Sequence, residues 1–117
     1  MPYKGVIELL LGSVVGAHAA LLLDAEGEVV VEAGARDEPQ RLIAAYHGIT
    51  LAAVQRTSAR YAAGDIQLVV CRYAGGSVIM RPLKDGYYLV LSLGPEASLA
   101  RGLHHSSLAQ ESLNEEL

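Results

Sequence analysis

The feature that most constrains the fold is a pair of apolar segments within residues 77–93, joined at Lys84-Asp85-Gly86. An Asp-Gly pair between two apolar segments is a strong signal for a β-hairpin. Alternate side chains of a strand face opposite sides of a sheet. In the second segment one side would carry Tyr87, Leu89, Leu91 and Leu93, and the other Tyr88, Val90 and Ser92. Since both sides are largely apolar, we expect a sheet covered by helices on both faces.

The composition indicates one domain with a well-developed aliphatic core. The chain has 117 residues, of which 51% are hydrophobic and only 5% aromatic, all of them tyrosine. The net charge of −4 and the absence of any Lys/Arg run argue against nucleic acid as a partner. Cys71 is the only cysteine, so an intrachain disulfide is impossible, and we expect a small buried thiol rather than a nucleophile.

The N-terminal segment from Gly5 to Leu23 is nearly continuous in apolar and small residues, as a leader or a membrane span would be. Glu8 and His18 interrupt it, however, and the only basic residue before it is Lys4. We therefore expect a cytoplasmic protein without a membrane span.

The patterns along the chain predict the order helix, two strands, helix, three strands, helix. This is an α/β fold, with a five-stranded antiparallel sheet between helices. We expect one domain over residues 1–108 and a flexible tail over 109–117. The predicted elements are a helix of about ten residues after Pro2, strands 17–24 and 28–33, a polar turn from Gly34 to Pro39, a helix 38–63, a strand 66–73, the hairpin, and a helix that opens at Gly94-Pro95-Glu96 and ends near Ser106.

The long helix predicted over 38–63 has more apolar surface than one sheet face can cover. Residues at spacings of three and four share one helical face, and they are Leu42, Tyr46, Ile49, Ala53 and Arg56. Ile43, Leu51 and Val54 extend the apolar surface towards another side. We therefore expect a second surface to pack on this helix. For Tyr46, core packing is an equal alternative to an interface.

This order of elements resembles the Roadblock/dynein light-chain family, most closely its prokaryotic branch, which includes regulators of gliding motility. Residues 14–27 (Val-Val-Gly-Ala-His-Ala-Ala-Leu-Leu-Leu-Asp-Ala-Glu-Gly) resemble the family's first strand and its turn. Residues 81–91 (Arg-Pro-Leu-Lys-Asp-Gly-Tyr-Tyr-Leu-Val-Leu) resemble its fourth and fifth strands, and 94–101 the start of its last helix. The similarity spans about residues 3–108.

The resemblance implies a non-catalytic homodimeric platform that binds a small Ras-like GTPase and regulates it, or anchors a larger assembly. In the family the long second helix pairs with its copy, and the third strands meet edge to edge. Here these elements would be residues 38–63 and 66–73. The implied partners are a second copy, a Ras-like GTPase and other Roadblock proteins. The implied interface residues are Leu42, Tyr46, Ile49, Ala53, Arg56, Val69 and Cys71.

No motif in the sequence points to a metal, a cofactor or an enzyme. The adjacent residues His104 and His105 would point about 100° apart on a helix, and His18 and His47 have no companion at ligand spacing. The chain also lacks a phosphate-binding P-loop and a nucleophile elbow. We therefore expect no metal, no cofactor and no enzymatic activity.

Two arginines on the predicted strands, Arg72 and Arg81, could in principle act as arginine fingers on a GTPase. We favour arginines at strand edges paired with nearby acids.

Two other functions stay open. One is a ligand-sensing module, for which His18, Arg72, Arg81 and Tyr88 are the candidate polar groups. The other is a structural subunit of a polarity or motor complex that does not affect nucleotide turnover.

Overall fold

The computed structural model describes residues 2–34 and 38–117, and in them the predicted order of elements is confirmed. The elements are α1 (Pro2–Ser13), β1 (Ala17–Leu23), β2 (Val29–Ala33), α2 (Glu38–Ser58), β3 (Val69–Tyr73), β4 (Gly76–Pro82), β5 (Tyr88–Leu93) and α3 (Leu99–Glu116), with a short 3₁₀ turn at Lys84–Gly86. Of the polar turn predicted over Gly34–Pro39, residues 35–37 lie outside the described part of the chain.

The strands form one antiparallel sheet in the order β2-β1-β5-β4-β3. Helices α1 and α3 pack on one face, where the core includes Ile7, Leu91 and Leu113. Helix α2 packs on the other face, over a layer that includes Leu51 and Met80. The prediction of a sheet with helices on both sides is thus confirmed. β2 and β3 are the two edge strands.

The Asp-Gly hairpin forms as predicted. Asp85 and Gly86 have φ angles of 59° and 80°, as a type I′ turn requires at its two central positions. The side chains of β5 alternate as the sequence indicates. Leu89, Leu91 and Leu93 belong to the layer of α1 and α3, whereas Tyr88 and Val90 lie beneath α2. Both faces of β5 are therefore buried.

Helix α2 ends at Ser58, earlier than predicted, and β3 begins at Val69 rather than at residue 66. The hydroxyls of Thr57 and Ser58 donate to the carbonyls of Ala53 and Gln55, at 3.0 and 2.9 Å. Such bonds compete with helical backbone bonds. Residues 59–65 are all exposed, so no packing extends the helix.

Helix α3 begins later and ends later than predicted. Ser98 is its N-cap and accepts a hydrogen bond from the amide of Arg101 at 3.2 Å, so Gly94-Pro95-Glu96 lies in the preceding turn. At the other end, residues 109–116 are helical rather than a tail. Leu113 is fully buried, because Ser106, Ala109 and Leu113 share one helical face against the sheet.

Arg81 corrects the expectation of a strand-edge arginine paired with an acid. It lies on the inner strand β4 and is only 8% exposed. Its guanidinium donates from Nε to Ser106 Oγ at 2.8 Å, from Nη2 to the carbonyl of Leu103 at 2.9 Å, and from Nη1 to Gln110 Oε1 at 3.3 Å. Burial lowers the pKa of this guanidinium. Arg81 thus fastens α3 to the sheet, and its burial keeps it from reaching into another protein.

Candidate interaction surface

The outward side of α2 is a largely apolar surface that the other described residues of the chain do not cover. Its residues are Leu42, Tyr46, Ile49, Ala53 and Arg56, which all lie exposed and which we call the α2 surface. The exposed fraction is 63% for Tyr46 and 65% for Ile49. Ala44 and Leu51, on the opposite side of the helix, are buried against the sheet. The sequence spacing therefore identifies the side of the helix that faces away from the core.

The edge of the sheet at β3 lies next to this helix. Among the described strands β3 has a single neighbour, β4, so its other edge is open. Val69 and Cys71 pack against the layer beneath α2 but are only half-buried, because they lie on this edge strand. Of the seven interface residues predicted from the sequence, these two therefore lie on β3 and the other five form the α2 surface. The two groups occupy the same side of the sheet.

A side-chain contact ties α2 to the end of β3. His47 Nδ1 lies 2.7 Å from the carbonyl oxygen of Ile43, and its Nε2 lies 2.7 Å from Tyr73 Oη. Since a carbonyl oxygen only accepts, Nδ1 donates to Ile43, and Nε2 shares a second hydrogen bond with the tyrosine hydroxyl. Desolvation raises the pKa of Tyr73, and the neighbouring Cys71 raises it further.

A groove of about 390 Å³ opens between α2 and the turn that joins β3 to β4. Ile43, His47, Tyr73, Val78 and Leu93 are among its lining residues. The sequence did not single out Tyr73, although it is 55% exposed. The available signal was an aromatic residue at the end of an edge strand, directly before the Ala-Gly-Gly turn.

An ion pair anchors the start of α2 to the opposite edge strand, β2. Arg41 Nε donates to Glu32 Oε2 at 2.8 Å and to Oε1 at 3.0 Å. Hydrogen bonding to Arg41 has the largest effect and lowers the pKa of Glu32. Burial opposes it, and the charge of Arg41, which has a smaller effect than burial, lowers the pKa further. The stabilisation that the ion pair between Glu32 and Arg41 provides is present above the ordinary carboxyl pKa, and it is lost as the pH falls through the folded-state pKa of Glu32.

The buried side of α2 approaches Tyr88 through a glycine. A Cβ at Gly48 would lie 2.2 Å from Tyr88 Oη and 2.6 Å from its Cζ, so an alanine does not fit there. Tyr88 is 5% exposed, and its hydroxyl has no hydrogen-bond partner among the described residues. Burial raises the pKa of Tyr88, and the negative charge of Asp24 raises it further.

Tyr88→Phe is expected to leave the free energy of unfolding at neutral pH unchanged or to raise it by up to about 1 kcal/mol, because it removes a buried unpaired hydroxyl. The folded state favours the protonated phenol. The stability that Tyr88 contributes is therefore complete below the unfolded pKa of about 10 and falls as the pH rises through the folded-state pKa. Urea unfolding at pH 7 and pH 11 should show a smaller alkaline loss for the variant. A cost above about 1 kcal/mol at pH 7 would reveal a partner for the hydroxyl.

The polar groups considered for a ligand-sensing module do not converge. Arg81 faces α3, whereas Tyr88 lies on the other face of the sheet, beneath α2. His18 and Arg72 are exposed on β1 and β3. The rings of His104 and His105 contact each other edge to face, with centroids 5.0 Å apart.

Within residues 2–34 and 38–117, no three His, Cys, Asp or Glu side chains come together in a way that could hold a metal ion. None of the described helices has the length and apolar character needed to cross a bilayer.

Comparison with known proteins identifies the family. The family model of the Roadblock/LC7 domain matches residues 4–92. No curated protein matches the chain.

Several solved structures share the fold. The Roadblock/LC7 domain from Streptomyces avermitilis is 19% identical, with a TM-score of 0.86 over 97% of this chain and 95% of that one. The gliding protein MglB from Thermus thermophilus is 24% identical, with a TM-score of 0.86 over 97% and 87%. Myxococcus xanthus MglB is 18% identical, with a TM-score of 0.85 over 97% and 92%. The resemblance stated from the sequence is confirmed, and this chain belongs to the Roadblock/LC7 domain family.

Proposed function

We propose that this protein is a non-catalytic homodimeric regulator or scaffold that binds a small Ras-like GTPase. The observation that carries the proposal is the α2 surface, where Tyr46 and Ile49 are each more than half exposed beside an open strand edge. Isolated exposed apolar residues are ordinary, but a contiguous apolar helix side next to an unpaired edge is typical of an interaction site.

Self-association would cover both features at once. In a twofold dimer the same patch of each copy meets its equivalent, so the two α2 surfaces would pack together while the two β3 edges pair. An interface of this kind commonly buries about 1,600 Å² in total. Pairing would also satisfy the open backbone groups of β3, which otherwise invite uncontrolled association.

The GTPase part of the proposal rests on family membership, and the cellular process is suggested by two structural relatives. One relative is a gliding protein, MglB from Thermus thermophilus, and another is described as MglB with a tetrameric arrangement. Gliding motility is accordingly the process in which we place this protein. Fold alone does not determine function, so the GTPase requires a direct test.

We expect the dimer to bind a purified Ras-like GTPase of the host in its GTP-loaded form, without supplying an arginine finger. Arg56→Ala and Arg72→Ala variants that still dimerise and bind should support the same rate of GTP hydrolysis as the unmodified protein. Both residues are exposed, whereas Arg81 is buried and is left unchanged. Binding by calorimetry and single-turnover hydrolysis measure the two effects separately.

The possible outcomes separate the functions. A loss of stimulated rate near 10³-fold in one arginine variant, with binding intact, would contradict the non-catalytic assignment. Binding with no change in turnover would identify a scaffold. A protein that binds none of the host's Ras-like GTPases in either nucleotide state would not be a GTPase regulator.

A further inference from the structure

The exposed side of α3 carries a charge pattern that is complementary to itself. Arg101, Leu108 and Glu115 follow one another at intervals of seven residues, and we call them the α3 stripe. We infer that the α3 stripe packs antiparallel against the α3 stripe of a second copy, about a twofold axis at Leu108. Helix α3 lies on the face of the sheet opposite to α2. The contact therefore does not depend on the homodimer proposed above.

The three residues of the α3 stripe share one side of the helix. Seven residues make nearly two full turns, so Arg101, Leu108 and Glu115 follow one line, with a rise of about 10.5 Å between neighbours. All three are exposed, and the exposed fraction of Leu108 is 48%. Ala109 and Leu113, on a different side of α3, are buried against the core. Neither Arg101 nor Glu115 forms an ion pair with another residue in the part of the chain that the structure describes.

An apolar groove beside the α3 stripe can receive a side chain from the second copy. The groove lies between α1 and α3 and has a volume of about 100 Å³. Leu9 of α1, which is 71% exposed, and Leu108 are among its lining residues. An engineered protein cavity of roughly 150 Å³ binds benzene, so this smaller groove suits one aliphatic side chain. In the twofold pair, Leu108 of each copy lies over the groove of the other and covers the partner's Leu9.

The charges of the α3 stripe oppose the electrostatics of α3 itself. Acidic residues stabilise the first turn of a helix and basic residues the last turn, and α3 has neither. Instead Arg101 lies in the first turn and Glu115 in the last. Arg101 also occupies the third position after the N-cap Ser98, where a glutamate would complete a capping box. The stability of α3 therefore does not explain this pattern, whereas a contact with another molecule does.

The order of the charges fits a second copy. In an antiparallel pair with the axis at Leu108, residues at equal distances on either side of the axis meet each other. Arg101 of each copy therefore faces the partner's Glu115. His104 and Glu111 lie together on one side of the stripe, so His104 faces the partner's Glu111 in the same way. A parallel pair would instead bring like charges together at both ends of the stripe.

We expect this contact to be weaker than the one made by the α2 surface. Exposed ion pairs contribute little stability, and the groove receives only one side chain from each copy. At micromolar concentrations the α2 surface alone should therefore determine the mass. At higher local concentrations the α3 stripe would join dimers that already exist. Two twofold contacts on opposite faces of one chain link dimers into a larger assembly, as a scaffold requires.

Sedimentation equilibrium at protein concentrations up to about 1 mM measures the contact, because dissociation constants of that size then become accessible. The average mass of the unmodified protein should rise above its value at micromolar concentration. Arg101→Glu and Glu115→Arg each place like charges opposite each other twice, so each should raise the dissociation constant by at least about tenfold. The two changes together restore opposite charges and the original net charge. They should return the constant to within about threefold of the unmodified value.

Neither single change should weaken the fold, since Arg101→Glu completes the capping box and Glu115→Arg places a basic residue in the last turn. Urea unfolding checks this for each variant. A mass that stays at its micromolar value up to about 1 mM would overturn the inference. Single variants that associate as strongly as the unmodified protein would overturn it as well. The same holds for a loss of association that the combined variant does not restore.

Discussion

Ile49→Asp is expected to convert the protein from a dimer to a monomer. Ile49 lies at the middle of the α2 surface and is 65% exposed in the single chain. In a twofold dimer the change occurs twice, and each copy loses apolar burial of about 1.5–3 kcal/mol while it gains a carboxylate that must be desolvated. The dissociation constant should therefore rise by about 100-fold or more. Analytical ultracentrifugation over a concentration series measures it.

Gln55→Asp is the matched control. Gln55 is exposed on the same helix, but the helical repeat places it about 120° around the axis from Ile49 and outside the α2 surface. The control adds the same charge, so it should retain the dimer. Urea unfolding checks that both variants fold. If folded Ile49→Asp keeps the mass of the unmodified protein, the α2 surface is not the dimer interface.

Local signals predicted the parts of the fold that depend on neighbouring residues. The Asp-Gly turn sets its own backbone angles, since both central residues must adopt positive φ, and it therefore fixed the β4–β5 hairpin. The alternation along β5 predicted which side chains face each helical layer. Helical spacing likewise grouped the residues of the α2 surface on one side of the helix. Apolar residues at spacings of three and four share one side whether that side is exposed or buried.

Long-range contacts decided what the sequence could not predict. The sequence of the C-terminal turns of α3 is mostly polar. Leu113 is nevertheless buried, because α1 and the sheet lie against it. The hydroxyl of Tyr3 also donates to the carbonyl of Glu116 at 3.1 Å, across nearly the whole length of the chain. The role of Arg81 depends on Ser106 and Gln110, which are far away in sequence. The contact of His47 with Tyr73 joins a helix to a strand end that no local pattern places together.

The role of Gly48 in α2 likewise depends on a long-range contact that the local sequence pattern does not predict. In the sequence it is only a glycine inside a long helix, which ordinarily costs about 1 kcal/mol relative to alanine. The structure explains this glycine, because Tyr88 of β5 lies against it. Tyr88 is almost fully buried, so the ring has little room to move away, and the absence of a Cβ allows the helix to approach the sheet.

Gly48→Ala is accordingly expected to lower the free energy of unfolding by up to about 2 kcal/mol. Overpacking a core typically costs about 1–3 kcal/mol, and the contact of 2.2 Å between the added Cβ and Tyr88 Oη is severe. The gain in helix propensity of about 1 kcal/mol opposes this effect only in part. Urea unfolding at pH 7 measures the difference.

Gly5→Ala in α1 is the matched control, because a Cβ at Gly5 meets nothing within 4 Å. It should raise the free energy of unfolding by about 0.5–1 kcal/mol. Combining Gly48→Ala with Tyr88→Leu isolates the contact, since leucine has neither Oη nor Cζ. In the Tyr88→Leu background, Gly48→Ala should cost little or become stabilising, as Gly5→Ala is. If Gly48→Ala instead stabilises the otherwise unmodified protein as much as Gly5→Ala does, Tyr88 does not limit the approach of α2 to the sheet.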